Sequence, residues 1–236
     1  MHIKIYQIDT ERDTNRVKFE AYDRLEQLQQ TPKVDSSLYD EVFDGYVDCQ
    51  DLEGVFRQFN TEGHPLHRGH SLSMSDIVEI VDGENGLESG AYYCDRFGFQ
   101  KVDFDSTKTQ KSDNLMRVVY VEPHKPPYVA EIEDTLEGKQ RAVKGFIEPV
   151  YIEDDGTCLI CNEEAKLIGM EGNRRIGDGT SIIAGPFFVC GLGDEDFRGL
   201  TDEEVMKYMD RFKEPDIISP EETQADTGFV ITGWNY

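Results

Sequence analysis

Apolar and polar positions alternate from the start of the chain. Ile3 and Ile5, with Gln7 in the same phase, oppose Lys4, Tyr6 and Ile8, which predicts a strand over residues 3–8. Val17, Ala21, Leu25 and Leu28 then recur at helical spacing and predict a helix of about three turns ending before Thr31-Pro32. Residues 36–48 read as extended or irregular. Asp51 is placed to cap a short helix in which Leu52, Val55, Phe56 and Phe59 make one apolar stripe. A polar loop over 60–69 leads to an apolar run at 77–81, a turn at 82–86, and further strands at 91–94 and 99–104.

Residues 105–114 contain no apolar side chain, which divides the chain into a domain over 1–105, a linker over 106–114 and a second domain over 115–215. The second domain opens with strands at 117–121 and 128–132. A helix follows over 136–144, with Gly145 suited to a left-handed C-cap. Strands are expected at 146–152 and 157–161, around the Asp154-Asp155-Gly156 turn. Residues 181–190, interrupted by Gly185-Pro186, read as a buried strand pair or one bent strand. Thr201 and Glu204 form a capping box, with Leu200 and Val205 as a hydrophobic staple, so a helix with Val205, Tyr208, Met209 and Phe212 on its apolar face begins there. Residues 216–236 start acidic and turn-rich but end in an aromatic stretch from Phe229 to Tyr236, which is expected to dock on a surface. The fold class is therefore α+β: two small domains, each a mostly antiparallel sheet with one or two packed helices.

Charge changes this picture most. The chain carries 24 Lys and Arg against 48 Asp and Glu, a formal net charge of -24. Residues 1–110 hold 11 basic and 22 acidic side chains and residues 111–236 hold 13 and 26, so the acidity belongs to both halves and not to a tail. No basic cluster exceeds the pair Arg174-Arg175, and direct binding to a phosphate backbone is not expected. No stretch approaches the roughly 20 apolar residues of a membrane span. The first residues alternate and reach Asp9 and Glu11 at once, unlike a secretion signal, so a cytoplasmic protein without membrane contact is expected.

Candidate chemistry is thin. The five cysteines are Cys49, Cys94, Cys158, Cys161 and Cys190; an odd number without a secretion signal points to reduced thiols. Cys158 and Cys161 have CxxC spacing, but on a strand positions three apart face opposite ways, so two buried structural thiols are expected instead of a shared metal. His64, His67 and His70 form the one histidine cluster, read as a polar surface loop. Gly69-His70-Ser71-Leu72-Ser73 departs from the nucleophile elbow at Ser73, where the second glycine belongs. Glu163, Glu164, Asp154 and Asp155 are acidic, yet carboxylates are too abundant for their adjacency to mean a site. No catalytic residue, metal site or cofactor is expected, and oligomeric state is open.

Two ordered sets of segments carry a resemblance. MHIKIYQIDTERDTNRVKFEAYDRL, VFDGYVDCQDLEGVFRQFN, GHSLSMSDIVEIV and YYCDRFGFQKVDF resemble a YodL-like domain over nearly all of residues 1–105. RVVYVEPHKPPYVAEIE, VKGFIEPVYIEDDGTCLICNEEAKLIGMEGNRR and LTDEEVMKYMDRF resemble a domain-of-unknown-function family over about 115–213. That family's Asn-Glu and Asn-Arg pairs are carried by Asn162-Glu163 and Asn173-Arg174, with Ala165 where a glycine is common. The resemblance implies a setting on conjugative elements and phages of Gram-positive bacteria, beside antirestriction proteins, and brings no catalytic residue.

Acidity and setting together lead to an expectation of a non-enzymatic mobile-element protein that binds a host protein. The partner in view is a DNA-targeting defence nuclease, of restriction or CRISPR type, met by a surface that presents carboxylates in place of phosphates. An accessory module without mimicry and an undetected enzyme are the alternatives. The residues singled out for binding are Asn162, Glu163, Asn173 and Arg174 in the second domain, and His70, Ser71 and Asp76 in the first.

Overall fold

The computed structural model describes residues 1–226 except 84, 85, 178, 180 and 195. The expected turn at 82–86 lies partly, and the aromatic stretch 229–236 wholly, outside the described residues. The backbone divides into two units, Met1–Asp113 and Asn114 onward. Both are α+β, each built on its own antiparallel sheet with a few helices packed on it.

In the first unit the strands are β1 (His2–Ile8), β2 (Tyr39–Tyr46), β3 (Ile77–Asp82), β4 (Gly90–Cys94) and β5 (Phe99–Val102), in the spatial order β2-β1-β3-β4-β5. Ile3 and Ile5 are buried in the expected phase, and a bulge between Ile5 and Tyr6 then resets it, so Tyr6, Gln7 and Ile8 are buried in succession. Of the segment read as extended or irregular, Tyr39–Tyr46 is extended and forms strand β2. Its Tyr39, Glu41, Phe43 and Gly45 alternate as buried positions, and the charged Glu41 on the buried phase hid the pattern.

The three-turn helix expected over Val17 to Leu28 does not form. Arg16 and Phe19 adopt positive φ of 58° and 65°, and the Asp13 carboxylate accepts from the Val17 and Lys18 N–H groups. Only a short 3-10 turn at Tyr22–Arg24 and α1 (Leu25–Gln29) are helical. Val17, Ala21 and Leu25 are nevertheless buried, because the folded-back loop presents them to the sheet. Asp51 caps α2 (Leu52–Thr61) as expected, its carboxylate accepting from Gly54 N. Residues 105–110, from the stretch without apolar side chains, are held to this unit: Gln110 N donates to Tyr39 O and Glu41 N to Gln110 O.

The second unit contains β6 (Leu115–Val121), β7 (Tyr128–Glu133), α3 (Leu136–Val143), β8 (Ile147–Val150), β9 (Thr157–Asn162), β10 (Gly172–Ile176), β11 (Ser181–Ala184), β12 (Phe187–Leu192), β13 (Phe197–Arg198), α4 (Asp202–Arg211) and α5 (Pro220–Ala225). Its main sheet runs β7-β6-β12-β9-β8, with β13 beside β12, while β10 and β11 form a separate ribbon. The 181–190 segment is thus two strands in two sheets, parted at Gly185, whose φ is 70°. Val119, Leu159, Val189, Val205, Tyr208 and Phe212 share one core under α4. Each such apolar side chain stabilises by about 1.5–3 kcal/mol when fully buried.

At the end of α3 the left-handed residue is Lys144, with φ of 60°, and not Gly145. Gly145 is required for a different reason: a Cβ there would lie 2.3 Å from the Asn162 side-chain nitrogen. At α4 the expected box is present, with Thr201 accepting from Glu204 N and the Glu204 carboxylate accepting from Thr201 N. Arg198 holds the same carboxylate, and that pairing keeps the Glu204 pKa low, at about 2. Thr201→Ala is expected to destabilise the second unit by about 1 kcal/mol. A urea unfolding curve followed by circular dichroism measures it, and an unchanged midpoint would show that the cap contributes nothing.

Candidate functional site

The first unit gathers three candidate groups around one buried amide side chain. Gln7, at the buried end of β1, donates its two N–H groups to His70 O at 2.8 Å and to the Asp76 carboxylate at 2.9 Å. Its carbonyl accepts from His70 N at 2.9 Å. Gly69 must be glycine for this clamp, since a Cβ there would lie 2.0 Å from the Gln7 oxygen. With both Gln7 hydrogens engaged, the His70 Nδ1 carries the proton and donates to Ser71 O at 2.8 Å. The imidazole therefore addresses the backbone of Ser71 and not its hydroxyl, which leaves no nucleophile–base pair there.

Asp76 is fully buried at the start of β3. One carboxylate oxygen accepts from Gln7 and from Ser73 N at 2.8 Å; the other, Oδ1, is buried and has no hydrogen-bond partner among the described residues, as is true of the His70 Nε2. Burial raises the Asp76 pKa to about 7, with the hydrogen bonds from Ser73 and Gln7 acting against it. The backbone beside it is fixed by two left-handed residues: Ser75, with φ of 76°, accepts at its hydroxyl from the N–H of Phe19 at 2.9 Å. Tyr39 adds a hydrogen bond to Ser75 O at 2.9 Å. Gln7 was the one detectable signal, an amide in phase with Ile3 and Ile5; Phe19 and Ser75 gave none.

In the second unit the four candidates fall into two pairs, Asn162 with Glu163 and Asn173 with Arg174. Asn162 donates to Val143 O and Lys144 O and accepts from Glu164 N, tying the end of α3 to the turn after β9. Asn173 donates to Val121 O and Gly185 O, and its side-chain oxygen accepts from Arg174. Arg174 is only 2% exposed. Its guanidinium donates to Phe212 O from two nitrogens, to Asn173 O and Oδ1, and to Lys125 O. Those bonds match all five of its N–H groups, so no donor remains for a ligand. Glu163 alone is exposed, on the wall of a cleft of about 390 Å³.

Other groups are structural. The expectation of a polar histidine loop is overturned for His64 and His67. Both are buried, with rings 4.6 Å from Phe43 and 5.0 Å from Phe59 respectively. Their rings pack edge-on against aromatic neighbours, which offsets burial in a segment that looked polar. Cys158 and Cys161 face apart on β9: Cys158 lies 3.6 Å from Cys190 across the sheet, and Cys161 reaches toward Glu148 O. Among the described residues no cluster of His, Cys, Asp or Glu could hold a metal ion, and no helix is long and apolar enough to cross a membrane.

Comparison with known families places this geometry. Residues 2–104 match the YodL-like domain, and residues 116–213 match the Domain of unknown function (DUF3846). The chain is a YodL-like domain followed by a DUF3846 domain. No curated protein and no solved structure matches it. The Asn-Glu and Asn-Arg pairs of the DUF3846 domain thus have a physical account: Asn162, Asn173 and Arg174 satisfy backbone groups where its strands, turn and last helix meet.

Two outcomes test these assignments. Arg174→Lys keeps the charge but has three donors in place of five, leaving buried carbonyls unpaired. It is expected to destabilise the DUF3846 domain by about 2–4 kcal/mol in urea unfolding. In the YodL-like domain, the folded chain retains a proton on Asp76 up to about pH 7, whereas an unfolded aspartate ionises near ~3.9. The stability contributed by that proton is full below about pH 4 and is lost as pH rises through 7. Between pH 5 and 8 the wild type should lose about 2–3 kcal/mol that Asp76→Asn, neutral throughout, does not lose. Equal pH slopes for both proteins would overturn the assignment.

Proposed function

We propose that this chain is a non-enzymatic protein of a mobile genetic element. On this reading it binds a basic, DNA-handling host protein, a defence nuclease of restriction or CRISPR type, through its acidic surface. The observation that carries the reading is the twofold excess of carboxylates, -24 in net charge, divided almost evenly between the two halves of the chain. A field of that size steers basic partners and repels nucleic acid. The structure adds that many of the few cations are occupied internally. Lys4 sits between Glu41 and Asp44, Lys207 bonds Glu153 and Asp155, and Arg198 bonds Glu204. The outward charge is therefore carried by carboxylates such as Asp48, Glu163, Glu203 and Asp210, all of which are exposed. The resemblance to domains of conjugative elements and phages supports a setting in which a nuclease is a relevant partner.

The reading makes duplex DNA and this chain competitors for one basic groove. Purified host restriction or CRISPR nuclease should bind the full chain with an affinity that falls about tenfold or more between 50 and 300 mM salt, as screening shortens the reach of the charges. Added duplex should displace the chain. Binding that ignores salt, or a nuclease that holds the duplex and the chain at once, would sink the proposal.

A further inference from the structure

The DUF3846 sheet ends on an open edge. β8 pairs with β9, and among the described residues no other strand lies beside it. The Glu163 N–H donates to Phe146 O at 2.9 Å, which sets the phase of the ladder. In an antiparallel pair, hydrogen-bonded and non-hydrogen-bonded positions alternate. Phe146, Glu148 and Val150 therefore turn their backbone groups to β9, while Ile147, Pro149 and Tyr151 turn theirs outward. The outer edge offers three carbonyls and, because proline has no N–H, two donors, at Ile147 and Tyr151.

The side chains beside this edge are unusual for so polar a protein. Phe146, Tyr151, Leu167 and Ile168 are 60%, 64%, 63% and 59% exposed. On the face that carries Glu148 and Val150, the cleft of about 390 Å³ is walled by Cys161, Leu167, Ile182 and Ile183. Its rim is acidic: Glu148 and Glu163 are exposed, and among the described residues the one cation on the wall, Lys166, is held 2.6 Å from Asp226. Phe146, Glu148 and Val150 share one face of the strand, so the order along it is apolar, acidic, apolar.

We propose that β8 and this cleft dock an extended segment of a partner protein, added as a further strand, whose cleft-facing side chains run apolar, basic, apolar. The basic residue lies against Glu148 and the apolar ones against Phe146 and Val150. Main-chain bonds to an open edge give affinity, and pockets for alternate side chains give selectivity. A second copy of this chain is a poor occupant, since it brings the same carboxylates and its own Pro149 to the edge. Residues 227–236 of the chain contain no Lys or Arg and do not complement Glu148. The inference rests on the reading of the chain as an acidic, protein-binding molecule and adds the place and the chemistry of contact.

The test uses the full chain and a fluorescein-labelled peptide, Ser-Val-Thr-Lys-Thr-Val-Ser, whose pattern is the same in either strand direction. Its counterpart with Glu in place of Lys is the control. Anisotropy should show the Lys peptide binding and the Glu peptide binding at least tenfold more weakly. Glu148→Lys should reverse that preference. Tyr151→Pro, which removes one outward donor, should weaken both. In hydrogen exchange, the Ile147 and Tyr151 amides should gain protection while Glu148 and Val150, already bonded to β9, do not change. Equal binding of the two peptides, or protection elsewhere, overturns the inference. So does protection of Ile147 and Tyr151 without peptide, in a dimer (a second copy) or in a monomer (the chain's own residues 227–236). A nuclease complex with steep salt dependence but no protection at Ile147 and Tyr151 removes this site and leaves the acidic-surface reading standing. Peptide binding without any nuclease competition does the reverse.

Discussion

The constraint on which the rest of the structure depends is a shortage of cations: 24 Lys and Arg must serve 48 carboxylates. Exposed pairs of this kind contribute at most about 1 kcal/mol each, so they do not drive folding. They act where segments distant in the chain cross and like charges would otherwise meet. Lys4 on β1 bridges two carboxylates of β2, and Lys207 and Arg211 on α4 hold Glu153 and Asp155 beside β9. Arg175 on β10 reaches Glu222 on α5, and Lys166 reaches Asp226. Arg174 differs. It is buried and bonded to carbonyls and an amide, where a carboxylate partner would have had to be desolvated as well. The cations thus organise junctions, while apolar burial supplies the stability that outweighs the repulsion.

Elements whose local chemistry agreed with their tertiary role were legible in the sequence. Thr201 and Glu204 marked a helix start, Asp51 another, and the alternation of Ile3 and Ile5 a strand, because a cap or a pleat is decided within a few residues. The errors fell where a distant group decided the outcome. Val17, Ala21 and Leu25 have helical spacing, but Asp13 from before the segment and Ser75 from across the domain hold the backbone in left-handed turns. Glu41 broke the apparent pattern of β2 because its partners, Lys4 and Lys111, lie far away in sequence. His64 and His67 looked like surface residues because nothing nearby announced Phe43.

The candidate site residues divide on the same principle. Asn162, Asn173 and Arg174 stood out only through the Asn-Glu and Asn-Arg pairs of the family resemblance; the role the structure gives them is the satisfaction of buried carbonyls, which from sequence looks the same as a binding site. Asp76 stood out less and differs more in kind. It is a buried carboxyl with one oxygen unpartnered among the described residues, held by Gln7, a residue 69 positions away, so its environment could not be read locally. A group in that state opposes folding whenever it is ionised, and its neighbours Gly69 and Gln7 are shaped closely around it.

Charge and edge, on the proposed reading, act over different distances. A net charge of -24 is felt across roughly a Debye length, about 8 Å at physiological salt, and does not depend on orientation. It raises the rate at which basic partners arrive but does not choose among them. The β8 edge has the opposite character: two donors and three acceptors in fixed register act only on contact, beside a single acidic position between two apolar ones. Pro149 weakens that edge for indiscriminate pairing, as edge strands in stable proteins generally require. The exposed Glu148 makes the remaining affinity conditional on a complementary charge. An acidic chain with an unguarded apolar edge would bind whatever the field brought to it. One with a guarded edge retains only segments that satisfy charge and strand register together.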